Sequence, residues 1–509
     1  MSDAHSTDLR RRAEPSPAHF EETVKLLHAT IPERVCIRDT PEYEDARKGF
    51  WALEQAQCKP HCIIQPCNSQ EVSDVMRILR NTGCPFGVKS GGHGRLAGES
   101  SVSSGVLIDL KRLDKVELSA DKTSCKVGPG NNWKNVYGHL NPKGLIVVGG
   151  RASTVGVGGF CVSGGISFFS NRHGWALDNV LSFEVVLADG SIVQASPESN
   201  ADLYKALRGG GANFGIVTEF TLSVYPYQDL WGGGIAYEWQ QADDVIDAFI
   251  AYGNDNVGNR DSSVILAALN YEGQWLYHTD IEHLKPTEPD RDSVLGKFLQ
   301  IPSLGITAGH ASLSERTDSI ASHTPKGLCN GYYTFCTKVD KRIIKFFFET
   351  WRAETDRIIG EHGIDGAPLA DINFVPQNII DAMSRNGGNA LGRAGKEPFL
   401  VYLLERNWSN PNNSQHVWKA MRATVVKTLS KAKELGKEDD YVYLNYANPF
   451  QDVFDGYGKE STAFLTGVSR KYDPDGLFQF QRKAGWHLNG PLRPIDKEAP
   501  WHAADSVML

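Results

Sequence analysis

Three stretches decide how this chain folds: Lys89-Ser90-Gly91-Gly92-His93-Gly94, the run GGRASTVGVGGFCVSGG from Gly149 to Gly165, and Gly209-Gly210-Gly211-Ala212-Asn213-Phe214-Gly215. Each sets several residues without a Cβ close together, so the backbone can turn sharply and successive N–H groups can face one point. A concave set of amides of this kind can hold a pyrophosphate without a lysine. Two more familiar phosphate loops are excluded. Gly156-Val157-Gly158-Gly159-Phe160-Cys161 does not complete G-x-G-x-x-G, and near Lys89-Ser90 the second glycine of G-x-x-x-x-G-K-[ST] is replaced by Val88. The loops therefore belong neither to a Rossmann half nor to a P-loop NTPase.

The flanking sequence alternates short strands and helices. Val72, Val75, Met76 and Leu79 follow helical spacing after Ser69, read as the cap, with Glu71 in the first turn and a stop at Asn81 to Cys84. Pro85 to Lys89 reads as a strand leading into the first glycine loop, and Val106 to Leu110 as the next strand. A second helix is marked by Trp133, Val136, Tyr137 and Leu140, and Asp189-Gly190 between Phe183–Ala188 and Ser191–Ala195 is a hairpin signal. After Tyr225-Pro226 the pattern lengthens. Ile343 to Ile359 and the segment from Ser414, with Val417, Met421, Val425 and Leu429, read as helices, and Phe399 to Leu404 as an apolar strand between them. Lys433 to Asp440 reads as a charged linker, Tyr441 to Tyr446 as a strand and Asp473 to Gly476 as a turn. The sum is an α+β chain without an internal repeat.

Composition narrows the function. Of 509 residues, 41% are hydrophobic and 22% charged, which excludes a largely disordered or fibrous protein. With 53 Lys plus Arg against 61 Asp plus Glu the net charge is −8, so neither a nucleic acid nor an anionic membrane is the expected partner. The opening MSDAHSTDLRRRAEPSPAHF contains no apolar signal core, and no segment reaches the roughly 18 apolar residues of a membrane span. Nine cysteines, an odd number in a long chain, suit a reduced compartment, and the expected location is cytoplasmic. Asn407-Trp408-Ser409 and Asn412-Asn413-Ser414 match the glycosylation sequon and are read as chance matches. Cys58, Cys62 and Cys67 lack a C-x2-C pair, so no metal site is expected. Phe346-Phe347-Phe348 with Trp351 is read as a core element or an oligomer contact.

Ser90-Gly91-Gly92-His93, preceded by Cys62-Ile63-Ile64-Gln65-Pro66, resembles the PCMH-type flavin-binding domain of the vanillyl-alcohol oxidase superfamily. Thr154-Val155-Gly156-Val157-Gly158-Gly159, Gly174 to Val180, Gly210 to Val217, Tyr443-Leu444-Asn445-Tyr446, Tyr457-Gly458, Lys471 to Pro474 and Phe478 resemble its berberine-bridge-enzyme-like branch, and Gly387 to Gly392 its fungal members. The resemblance spans most of residues 55 to 485. It implies an N-terminal extension (1–54) packing on a two-lobed FAD-binding domain (55–226), a substrate domain with a helix-covered antiparallel sheet (227–438), and a C-terminal segment (439–509) that returns to the FAD domain. FAD would lie between the two domains, held by Lys89, Ser90, Gly91, Gly92, His93, Gly94, Thr154, Val155, Gly156, Gly158, Gly159, Gly211, Val217, Asn445 and Tyr446.

His93 would bond covalently to the flavin 8α-methyl group, which raises the flavin's potential. The second attachment of many relatives, a Cys before the Thr-Val-Gly-Val-Gly-Gly run, is replaced here by Ala152, and Cys161 lies nine residues further on. Phe160 stands where some relatives have His, which leaves Arg151 as the candidate for charge at flavin N1. The implied reaction is oxidation of a small-molecule, secondary-metabolite intermediate by proton abstraction and hydride transfer to flavin N5, with molecular oxygen as acceptor. Val155, at the place facing C4a and N5, is small enough to admit oxygen. Candidate acid–base groups are His173, which stands where relatives often have Tyr, Tyr446 on the substrate side of the ring, and Glu405, provided the strand Phe399 to Leu404 continues. Leu403 fills the place of a catalytic acid or amide of some relatives. A redox-neutral cyclase or isomerase, a dehydrogenase and a carbohydrate oxidase are the alternatives, and a monomer or homodimer is expected.

Overall fold

The computed structural model describes residues 17–490, and the opening residues read for a signal, 1–16, lie outside them. It is an α+β fold organised by three larger sheets. In the first, β1 (Val35–Ile37), β2 (Cys62–Ile64), β3 (Phe86–Lys89) and β4 (Val106–Asp109) lie in the order β1-β2-β4-β3, with β4 parallel to β2 and β3. Helix α1 (Ser69–Thr82) crosses from β2 to β3 and buries Val72, Val75, Met76 and Leu79. Its cap is Asn68 rather than Ser69: Asn68 Oδ1 accepts from the Glu71 N–H at 2.8 Å, because the cap must stand outside the helix with extended backbone. Gly83, at φ 69°, ends it.

The second sheet joins β5 (Val116–Leu118), β6 (Ser124–Val127), β7 (Val180–Val186), β8 (Ile192–Ala195) and β9 (Ile216–Ser223) in the antiparallel order β5-β6-β9-β7-β8. Helices α2 (Trp133–Leu140) and α3 (Val157–Ser163) fall between β6 and β7, and α3 starts inside the second glycine stretch.

The third and largest sheet is antiparallel, with β10 (Leu230–Glu238), β11 (Ser262–Tyr271), β12 (Gln274–His283), β13 (Cys329–Lys338), β14 (Pro368–Val375) and β15 (Phe399–Trp408) in the order β10-β12-β11-β14-β15-β13. Short strands extend both edges. One face is apolar, with Leu266, Ile372, Leu400 and Tyr402 packed against α4 (Ala242–Asn254), α6 (Lys341–His362) and α7 (Ser414–Glu434); α5 (Leu313–Ser322) is not part of that cover. Phe347, Phe348 and Trp351 of the aromatic helix belong to this core. The other face is polar. Asp371 lies opposite Leu403, and Leu369 and Tyr332 opposite Glu405, so the two-residue period places Tyr332, Asp371, Asn373, Leu403 and Glu405 on the same side. Strand β15 continues to Trp408 and carries Glu405 with it.

Two local expectations are corrected. Tyr441 to Tyr446 forms no strand but an irregular run ending in the 3-10 turn Leu444–Tyr446. Side chains replace the ladder there: Arg95 donates to the carbonyls of Asn445 and Ala447 at 2.8 and 3.2 Å, and Tyr443 Oη accepts from the Gly165 and Ile166 amides at 2.9 and 3.1 Å. Lys433 to Asp440 is no linker, since α7 runs to Glu434 and Glu438–Asp439 pairs with the edge of β13. Beyond α8 (Lys459–Tyr472) the chain returns to the first sheet, where Arg482 bridges Phe86 and the Gln481 amide donates to the Leu79 and Cys84 carbonyls, both at 2.6 Å. Among the described residues no helix is long and apolar enough to cross a membrane.

Candidate active site

The first two glycine stretches interlock. A Cβ on Gly91 would lie 2.4 Å from Gly156 Cα, and one on Gly156 would lie 2.5 Å from Gly91 Cα, so the two backbones touch and neither position admits a side chain. Ser90 Oγ ties them further, donating to the Pro129 carbonyl at 2.5 Å and accepting from the Gly158 N–H at 3.1 Å. Gly92 sits at φ 67°, where only glycine is unstrained. The amides of Gly91, Gly92 and Gly94 donate to no group among the described residues. Beside Gly94 lies the buried Gln55, whose Nε2 also lacks a partner. Unused donors around a cradle that a Cβ would fill suit the diphosphate of FAD. Lys89 adds no free charge: its Nζ is 3.1 Å from the buried carboxylate of Asp109.

His93 follows, with Nε2 3.3 Å from Thr154 Oγ1 and its ring stacked on Trp51. Burial, with Arg95 nearby, pushes the imidazole down to about 4, so it is neutral at pH 7 and has a lone pair to offer. Cys161 is enclosed by its own surroundings. It is fully buried in the core around Tyr137, and burial raises its thiol far above the ordinary range, so it presents no nucleophile to the loops. Ala152 and Val155 are half-buried, and Phe160 packs edge-on to Trp133 at 5.2 Å. Gly159, at the start of α3, has open space where a Cβ would stand.

Across from the loops stands the polar face of the large sheet, and Arg151 joins the two. Its Nη2 donates to Tyr446 Oη at 2.6 Å and its Nη1 to Asn373 Oδ1 at 2.6 Å, while Asn373 Nδ2 donates to Asp371 Oδ1 at 2.9 Å. Arg151 is thus directed at the sheet. Burial pushes the Asp371 carboxyl up to about 7 against the pull of Arg151, with Glu405 adding to the rise. Burial likewise pushes Glu405 up to about 7 against its hydrogen bond with Tyr332 and the charge of Arg95. Burial raises the Tyr446 phenol, and Arg151 opposes that rise. Tyr332 packs edge-on to Tyr446 at 6.1 Å and lies under the Arg95 guanidinium at 4.7 Å. Two carboxyls and a polarised phenol, all able to hold or release protons, therefore share one wall.

The structure brings Tyr446 and Glu405 together but not His173. That imidazole stacks on Tyr225 at 3.7 Å, its carbonyl accepts from Asn179 and Arg385, and none of these partners belongs to the Arg151–Tyr446 network. Gly211 donates to the Val162 carbonyl, and Val217 pairs with Val185 inside the core, so both support the loops from behind. Asn445 Nδ2 donates to the Phe160 carbonyl at 3.3 Å and to Tyr443 Oη at 3.1 Å. The Gly387–Gly392 segment helps to close a buried pair: Arg208, 3.5 Å from Asp178, donates to the carbonyls of Arg385, Asn386 and Gly388. Sequence reading missed Asp371, Asn373, Tyr332, Arg95 and Trp51. Its one available signal was the alternation Ala370-Asp371-Ile372-Asn373-Phe374, polar residues at period two in an apolar strand.

A dinucleotide cradle facing a wall of acid–base groups defines an FAD-linked oxidoreductase. Comparisons agree. The FAD binding domain family matches residues 60–196. The FAD-dependent monooxygenase tpcD of Cochliobolus heterostrophus is 33% identical over 452 residues, covering 86% of this chain and 87% of that protein. Among solved structures, the carbohydrate oxidase from Microdochium nivale superposes with a TM-score of 0.73 at 22% identity (90% of this chain, 99% of the other). Berberine bridge enzyme from Eschscholzia californica does so with 0.72 at 16% (90% and 97%). The chain belongs to the family of fungal FAD-dependent monooxygenases that includes tpcD, and it shares its fold with berberine bridge enzyme and the carbohydrate oxidase.

Proposed function

We propose that this FAD-dependent enzyme oxidises a hydroxyl-bearing small molecule, a secondary-metabolite intermediate, in the cleft between residues 55–226 and the sheet of residues 227–438, with residues 439–490 closing back on the first unit; the rest of the C-terminal segment, 491–509, lies outside the described residues. The observation that carries this reading is the 2.6 Å hydrogen bond from Arg151 to Tyr446, on the same wall as Glu405. When bound, FAD would supply the acceptor for the electron pair leaving the substrate carbon, with dioxygen as the final oxidant. The chain supplies the proton chemistry. Glu405, half-buried and with its carboxyl near 7, takes the hydroxyl proton. Tyr446 Oη accepts from Arg151 and keeps its own proton for the substrate oxygen, where it stabilises the charge that develops as Glu405 works. Tyr332 orients Glu405, and the free amides of Gly91, Gly92 and Gly94 with Gln55 hold the diphosphate. His93 carries the covalent bond, alone, because Ala152 offers no thiol and Cys161 is fully buried in the core. Nine unpaired cysteines among the described residues support a cytoplasmic location, and we expect a monomer or homodimer.

A second reading is favoured by the relatives' names, which are monooxygenases. The same site would then place an oxygen atom in the product instead of releasing peroxide. The base assignment is tested by the pH profile of kcat/KM. A base must be ionised, so activity should rise with pH through about 7. Glu405→Gln should remove that limb and lower kcat by about 10²-fold or more, whereas an unchanged profile sinks the assignment.

A further inference from the structure

Trp51 lies before the residues that match the FAD binding domain, and no motif read from the sequence includes it. The side chain is 3% exposed. Its indole lies on the His93 imidazole with ring centroids 4.4 Å apart and planes 12° from parallel. The stack is anchored at every polar atom of the residue. Trp51 N–H donates to the Gly92 carbonyl, Nε1–H donates to the Thr324 carbonyl, and the Trp51 carbonyl accepts from Gly327, each at 3.0 Å. Tyr332 braces the indole edge-on at 6.2 Å. Because Thr154 also holds His93 Nε2 at 3.3 Å, one face and one nitrogen of the imidazole are fixed.

We propose that Trp51 is a positioning residue for the covalent attachment of flavin to His93. The proposal rests on the attachment reading given above. Attachment joins an imidazole nitrogen to the 8α carbon. One C–H proton of the methyl group and the N–H proton of the imidazole leave their atoms, and two electrons pass into the flavin ring, which becomes reduced. Dioxygen then takes up both electrons and both protons as hydrogen peroxide and restores the oxidised flavin. The attacking lone pair lies in the ring plane, so rotation of the imidazole about its Cβ–Cγ bond sweeps the nitrogen off the carbon. The indole, anchored by two segments distant in sequence, resists that rotation and keeps water from the covered face.

Full-length wild type, Trp51→Phe, Trp51→Leu and Trp51→Ala, expressed with riboflavin limiting, are supplied with FAD. The acid-resistant share of the bound flavin is followed over time against total bound flavin. Trp51→Phe, which keeps an aromatic face, should attach within about twofold of wild type, whereas Trp51→Leu and Trp51→Ala should bind FAD yet attach about tenfold or more slowly. Attachment by Trp51→Leu at the wild-type rate overturns the proposal, as does equal slowing in Trp51→Phe. Should Trp51→Ala fail to fold, Trp51→Leu decides, and a folded Trp51→Leu that binds no FAD counts against positioning. Release of all flavin by the wild type is a different result, which removes the attachment reading itself.

Discussion

Asp371→Asn isolates the proton that the polar wall retains. Asp371 is 8% exposed, and its carboxyl is pushed up to about 7, so up to about pH 7 the folded chain keeps a proton that the unfolded chain releases near 4. Below about pH 4 both states are protonated and the residue adds no pH dependence. Between about 4 and 7 the unfolded state binds fewer protons, so stability falls as pH rises, and above about 7 the loss is complete. At about 1.4 kcal/mol per pH unit the difference reaches at most about 4 kcal/mol. Asn has the shape of the protonated acid, can still accept from Asn373 and does not titrate, so the variant lacks this slope. Urea unfolding of both proteins across that pH range should show wild type losing up to about 4 kcal/mol relative to Asp371→Asn as pH rises. Parallel curves, or wild type gaining on the variant with rising pH, would refute the reasoning and mean that Arg151 holds Asp371 ionised throughout.

Other consequences concern the flavin. Wild-type protein should keep its flavin after acid denaturation and Cys161→Ser should behave alike, while His93→Ala should release free FAD; flavin found on Cys161, or release by wild type, goes against attachment through His93 alone. Val155→Leu adds one methylene at a half-buried position within the second glycine stretch, and should slow reoxidation by oxygen far more than anaerobic reduction by substrate. Equal slowing of both half-reactions in a stopped-flow experiment would show that Val155 does not gate oxygen.

What the sequence disclosed follows from where chemistry restricts residue choice. Gly91 and Gly156 were legible because two backbones touch there and no other residue fits. Glu405 was legible as a conditional: its side depended on whether one strand continued, and β15 does continue. Asp371 and Asn373 were hidden because two polar residues in an eight-residue strand say nothing of what lies opposite, and Arg151, their partner, is over two hundred residues away in sequence. The surroundings of His173 were hidden for a related reason. A histidine between glycine-rich segments has the chemistry of a base, but Tyr225 covers its ring, a contact made only once the chain is folded. Tyr441 to Tyr446 has the alternation of a strand, yet Arg95 and the Gly165 and Ile166 amides occupy its polar groups instead.

The central claim, oxidation of a small molecule with dioxygen as acceptor, is tested most directly by mixing the purified protein without oxygen with a panel of phenols, alcohols and oligosaccharides. The bound flavin should bleach with at least one compound. On admitting oxygen its colour should return, with one hydrogen peroxide formed per product and no oxygen atom from labelled dioxygen in that product. Label in the product, or conversion of a compound without any bleaching, would contradict the account.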